Sequence, residues 1–230
     1  MIDIHSHLIF DVDDGAYAYK ESLRMALEAE QLGFDIIVAT PHYSNKNFPE
    51  RKLLKNFNKL KTALMGCDIE IQLGYEVLIN DMHYEGAKER RDLTLGDTKY
   101  MLFELPFNLM PSFAESKLIE LHNDHIIPII AHPERYPYFN KNIDSFVYFI
   151  EKGCMVQLDA GSILGAHGHE AKDFAKKIIK LGLVDFVASD AHCTEDYISW
   201  FPASYEQVIK WVGHEYADEL FHYNPLAILQ

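Results

Sequence analysis

The chain has 230 residues, 48% hydrophobic and 24% charged, enough for one large globular core or two small ones. A net charge of −14 excludes a broad basic face for nucleic acid or an anionic membrane, and no apolar run nears the roughly 18 residues that span a bilayer. Three scattered cysteines (Cys67, Cys154, Cys193) and a start without a basic-then-apolar leader set the expectation of a reducing, cytoplasmic compartment.

The first apolar run is Met1–Ile4, followed by the amphipathic stretch ESLRMALEAEQLG, which stops at Gly33, a helix-ending glycine. Strand-like Asp35–Ala39 leads to a second helix, PERKLLKNFNKLKTALMG, and then to strand-like Ile69–Leu73. Tyr100–Leu105 precedes the helical SFAESKLIELHND; Ile126–Ala131 precedes DSFVYFIEKG; Met155–Leu158 precedes HEAKDFAKKIIKLG; the last strand is Phe186–Ala188. SYEQVIKWVG and HEYADELFHYNPLAIL read as two closing helices. Alternating strands and helices predict a parallel sheet with right-handed crossovers, and seven strands favour a closed or nearly closed α/β barrel. No linker or repeat divides the chain, so one domain over residues 1–230 is expected.

Active faces of such folds lie at the C-terminal ends of the strands, and polar residues gather there. His5 and His7 follow the first strand at i, i+2 spacing, which lets both imidazoles reach one ion. His42 follows the second strand, Glu76 the third, and Glu104 ends the fourth. His132 ends the fifth, with Glu134 and Arg135 just beyond; Asp159 ends the sixth; Asp190 and His192 end the seventh. Independent surface polarity would not choose the same end of successive strands. Imidazole mixed with carboxylate suits Zn, Mn or Fe better than Ca or Mg, and so many ligands imply two or three ions sharing a carboxylate. A second HxH, His167 and His169, follows no apolar strand and reads as loop or helix cap, while His83, His122, His125, His214 and His222 read as structural.

MIDIHSHLIFDVDDG, PH after the second strand, GYE, AHPERY and SDAH together resemble the polymerase and histidinol phosphatase (PHP) superfamily. Within it they are most similar to the bacterial manganese-dependent tyrosine-protein phosphatases of capsule and exopolysaccharide loci. The resemblance runs to the closing NPLAIL and implies a distorted seven-stranded (β/α) barrel. It implies one ion on His5, His7, Glu76 and Asp190, a second on Glu76, Glu104 and His132, and a third on Asp14, His42 and His192. Asp13 competes with Asp14 for the last role, and Asp11 reads as a turn residue. The implied cofactors are two or three divalent transition-metal ions, manganese foremost, with iron or zinc as alternatives.

Such clusters suit phosphate monoester hydrolysis, which needs alignment and charge neutralisation more than a protein nucleophile. Arg135 is placed to fork onto the phosphate, and the alternative is an ion pair with Glu134. No general acid is assigned. The C-x5-R loop of cysteine-based tyrosine phosphatases is missing, because Leu73, Ala160 and Ser199 stand six residues after the cysteines. The resemblance implies a phosphotyrosine-bearing protein substrate, the tyrosine-rich tail of a bacterial tyrosine autokinase, with no nucleic-acid partner and no membrane insertion. Tyr17, Tyr19, Tyr43, Phe48, Tyr136 and Tyr138 are candidates to flank a phenyl ring. A histidinol phosphatase would use the same metals. A nuclease is disfavoured by the charge, an amidohydrolase by Glu104 where a bridging lysine would stand, and a non-catalytic metal protein by the number of ligands.

Overall fold

The computed structural model describes residues 1–43, 48–79 and 90–230; His83 lies outside them. The described residues form nine strands: β1 (Ile2–Ser6), β2 (Ile36–Ala39), β3 (His42–Tyr43), β4 (Glu70–Leu73), β5 (Glu76–Leu78), β6 (Tyr100–Glu104), β7 (Ile127–Ala131), β8 (Met155–Asp159) and β9 (Phe186–Ala188). All pair in parallel, in one sheet ordered β1-β2-β4 and another ordered β3-β5-β6-β7-β8-β9.

The expected count of seven strands is therefore corrected to nine in two sheets. The two extra strands follow breaks that apolar periodicity does not register. β2 gives way to β3 across Thr40 and Pro41, and proline has no N–H for a ladder. β4 gives way to β5 across Gly74 and Tyr75, where the backbone runs so close to Leu95 that a Cβ on Gly74 would lie 3.1 Å from its Cα. Hydrogen bonds from Gly74 N to Ala39 O (2.9 Å) and from Glu76 N to Pro41 O (3.2 Å) carry the chain across the breaks. On the other side Asp190 N donates to His5 O and His7 N to Ala191 O, both at 2.9 Å, joining β1 to the segment after β9. The result is barrel-like.

The helices are α1 (Tyr19–Gln31), α2 (Glu50–Ala63), α3 (Ala114–Asn123), α4 (Pro137–Lys141), α5 (Ile143–Glu151), α6 (Ala160–Leu164), α7 (His169–Lys180), α8 (Thr194–Val212), α9 (His214–Asp218) and α10 (Asn224–Leu229), with a π-helical turn joining the last two. α8 begins ten residues before the predicted SYEQVIKWVG, capped by Cys193 and Asp196. Met25, Ala29, Leu53, Leu60, Ile178 and Phe201 on the helices pack against one face of the strands. Ile2, Ile4, Val38, Leu102, Ile129, Ala131, Phe186 and Ala188, from both sheets, form a second core that fills the barrel, and Ile228 of α10 is part of it. No helix among the described residues is long and apolar enough to cross a membrane.

Candidate metal centre

The first strand does not run straight into its histidines. Asp3 pairs with Ile37 and Ser6 with Ala39, so Ile4 and His5 together oppose the single residue Val38. This bulge lets Ile4 pack into the barrel core while His5 also turns inward to meet Gln157 of β8. Asp3, left on the outer side, is fully buried; it accepts from Ser189 N and Oγ (2.9 and 2.6 Å) and from Tyr197 Oη (2.8 Å). These bonds tie β1 to the Asp190 loop and to α8.

His5 Nε2 lies 3.3 Å from His7 Nε2, 3.3 Å from Glu76 Oε2 and 3.2 Å from Asp190 Oδ1. His7 Nε2 lies 3.4 Å from Glu76 Oε2 and 3.2 Å from Asp190 Oδ1. Ligands of a tetrahedral ion with bonds of about 2.0–2.1 Å stand about 3.3–3.4 Å apart, so these spacings match a coordination shell. Glu76 faces two ways: Oε2 looks to His5, His7 and His42 Nδ1 (2.9 Å), while Oε1 meets His132 Nε2 at 2.9 Å. His42 Nδ1 is also 3.4 Å from Glu104 Oε1. Asp14 Oδ1 stands 3.4 Å from both His42 Nε2 and His192 Nε2.

All nine expected ligands thus meet on one face, although their compact groupings differ in detail from the implied sets. The tight groups are His5, His7 and Asp190; His42, Glu76 and Glu104; and His7, Asp14, His42 and His192, with His132 joined through Glu76. Buried Glu76 Oε2 and His42 Nδ1 make no hydrogen bond of acceptable angle, which is the condition of atoms that bind an ion. His132 and Asp190 hold left-handed backbone, φ 35° and 49°, a strained conformation for residues with a Cβ.

Neighbours fix the ring orientations. His5 Nδ1 donates to Gln157 Oε1 (2.9 Å), His7 Nδ1 to Asp13 Oδ2 (2.8 Å) and His192 Nδ1 to Asp190 O (2.8 Å), leaving each Nε2 lone pair toward the cluster. Asp13 also takes bonds from Gly15 N and His42 N, so the adjacent carboxylates have different tasks: Asp13 orients and Asp14 faces His42 and His192. A Cβ on Gly15 would lie 2.2 Å from His7 O, so only glycine permits this loop path. Asp11, at φ 58°, turns away to pair with Lys52. Burial works against a charged His5, yet Glu76 and Asp190 outweigh it and push the imidazole up to about 9. His42 likewise rises against burial to about 10 beside Glu104 and Glu76. Burial would raise Glu76 and Asp190, but the imidazoles around them hold both well below the carboxylate range.

Arg135 pairs not with Glu134 but with Asp190, Nη1 to Oδ2 at 2.7 Å, and its guanidinium lies 5.2 Å from the Phe107 ring centre. Glu134 instead accepts from Asp159 N inside the core. Phe107, absent from the expected aromatics, stacks on His132 and is 38% exposed. Tyr136 is fully buried, its Oη accepting from Leu105 N, so it does not flank a substrate. The missed supports left faint traces in sequence: Asp3 and Gln157 are lone polar residues inside apolar strands, whereas Phe107 left none.

The whole chain, residues 1–230, matches the family model described as capsular polysaccharide synthesis, CpsB/CapC. The chain belongs to the CpsB/CapC family. It is 37% identical to the tyrosine-protein phosphatase YwqE of Bacillus subtilis over 84% of this chain and 77% of that protein. It is 30% identical to the tyrosine-protein phosphatase CpsB of Streptococcus pneumoniae over 100% of this chain and 98% of that one. A crystal structure from the YwqE and CpsB pair, described as unique metal-dependent tyrosine phosphatases, matches with a TM-score of 0.89 at 32% identity, covering 100% of this chain and 94% of that chain. The phosphotriesterase homology protein of Escherichia coli matches at a TM-score of 0.62 and 12% identity, covering 100% and 98% of the two chains, a likeness of fold.

Proposed function

We propose that this CpsB/CapC member is a metal-dependent protein-tyrosine phosphatase, one catalytic domain acting in the cytoplasm on a tyrosine autokinase tail and so on capsule or exopolysaccharide synthesis. The observation that carries it is the 3.2–3.4 Å spacing of His5, His7, Glu76 and Asp190 ligand atoms. His5, His7, Glu76 and Asp190 would hold one divalent ion, Glu76 with Glu104 and His132 a second, and Asp14, His42 and His192 a third, with manganese the first choice. When bound, such ions acidify water and neutralise the phosphoryl oxygens.

The chain's own groups supply the rest. Gln157 and Asp13 keep His5 and His7 in one tautomer. Arg135, held on Asp190 and against Phe107, presents its remaining donors to phosphoryl oxygens. Phe107 offers a half-open aromatic face beside it for a phenyl ring.

The test is phosphate release from a phosphotyrosine peptide, a phosphoserine peptide and histidinol phosphate, before and after chelation and return of Mn²⁺. Metal-restored release that is fastest from phosphotyrosine is expected. Preference for histidinol phosphate would keep the site and reject the substrate, and no release from a metal-loaded protein would reject the enzyme.

A further inference from the structure

The metal face leaves one strand end unused. Asp159, at the end of β8, is fully buried, and its Oδ1 accepts from Gly161 N at 2.6 Å to cap α6. Its Oδ2 lies between two basic side chains, His167 Nε2 at 2.6 Å and Arg135 Nη1 at 3.8 Å. His167 comes from the loop before α7, part of the second HxH, and packs edge-on against Trp200 of α8. Its side chain is 28% exposed. Nε2 meets Asp159 Oδ2 as an ion-pair contact whose angle makes no hydrogen bond, and no contact of Nδ1 is seen among the described residues. The adjacent Asp159 carboxylate raises His167 above the ordinary imidazole value against burial, with Arg135 opposing and Asp190 assisting. A rim imidazole anchored through one nitrogen, free at the other and one carboxylate away from the phosphate-gripping arginine is the arrangement of a positioned acid.

Resting on the phosphatase reading, we propose that His167, held by Asp159, donates the proton taken up by the leaving phenolic oxygen. As the bond from phosphorus to that oxygen breaks, its electron pair stays on the oxygen. The His167 Nδ1 proton passes to it, leaving a neutral imidazole whose Nε2–H still faces Asp159. Water supplies the oxygen that joins phosphorus, and the proton it releases returns to His167 through solvent. A phenol with a pKa near 10 gains from such help, and a strongly acidic phenol gains little.

The experiment compares His167→Gln with the unaltered enzyme, both Mn²⁺-loaded, on phosphotyrosine peptide and on 2,4-dinitrophenyl phosphate. The variant should lose about a hundredfold in kcat on phosphotyrosine with KM little changed. The loss should shrink to a few-fold on the dinitrophenyl ester. Equal losses on both esters would make His167 a structural partner of Asp159, and no loss on phosphotyrosine would make it a bystander; either overturns the proposal. If the variant fails to fold, a series of aryl phosphates with the unaltered enzyme decides. A shallow dependence of kcat on phenol acidity supports proton donation, and a steep one overturns it. An unaltered, metal-loaded enzyme that hydrolyses no aryl phosphate would bring down the phosphatase reading itself, a result distinct from any of these.

Discussion

At His7 both ring nitrogens are assigned, Nδ1 to Asp13 and Nε2 to the cluster. Asp13→Ala should therefore weaken metal binding roughly 10–100-fold while the protein stays folded, as competition with a chelator would read. His5→Ala should abolish turnover and lower the bound-metal stoichiometry, and retained turnover would sink the site assignment. Gly15→Ala should disturb Asp13 and Asp14, because its Cβ would collide with His7 O. Metal analysis would show partial loading of that variant. Which of Asp13 and Asp14 faces the histidines was not legible in sequence, because adjacent residues in a loop carry no periodicity to separate them. The strand-end residues were legible, since alternation and element order place them without knowledge of contacts.

At the scale of elements, the bulge in β1 carries the greatest load, and Asp3 pins it. Asp3→Ala would take the acceptor from Ser189 N and Tyr197 Oη in the core at a cost of about 3 kcal/mol. For a chain of this size that lowers Tm by roughly 6–12 °C, measurable by calorimetry. Seven of the nine strands were legible as apolar runs, and so were the amphipathic helices from α1 to α7 that exceed two turns. β3 and β5 were not, being two- and three-residue segments set by Pro41 and Gly74 and not by a hydrophobic pattern. α4 and α6, of five residues each, are likewise too short to show a period. α8 was read late because its first turns hold Pro202 and few strong helix formers.

At the scale of the molecule, the cluster couples protons, metal and stability. His5 is raised from 6.5 to about 9 without an ion, so its contribution to metal-free stability is full below about 6.5 and is lost as pH rises through 9. An ion must displace that proton, so affinity rises with pH over the same window. The Tm of the chelated protein should fall between pH 6.5 and 9, while the increment on adding Mn²⁺ should grow. A chelated Tm that climbs across this range would contradict the arrangement of charges described for Glu76 and Asp190.

Ile228 of α10 sits in the same barrel core as Ile2 and Ile4, and the backbone around His5 and His7 bonds to Asp190 and Ala191. During synthesis β1 thus waits for segments some two hundred residues further along before its neighbours exist. The ligand pair made earliest has no shell to join until Asp190 has emerged, and the barrel has no floor until α10 arrives. Metal loading then follows the emergence of Asp190, and a product of synthesis stalled before it would carry His5 and His7 without the carboxylate they share.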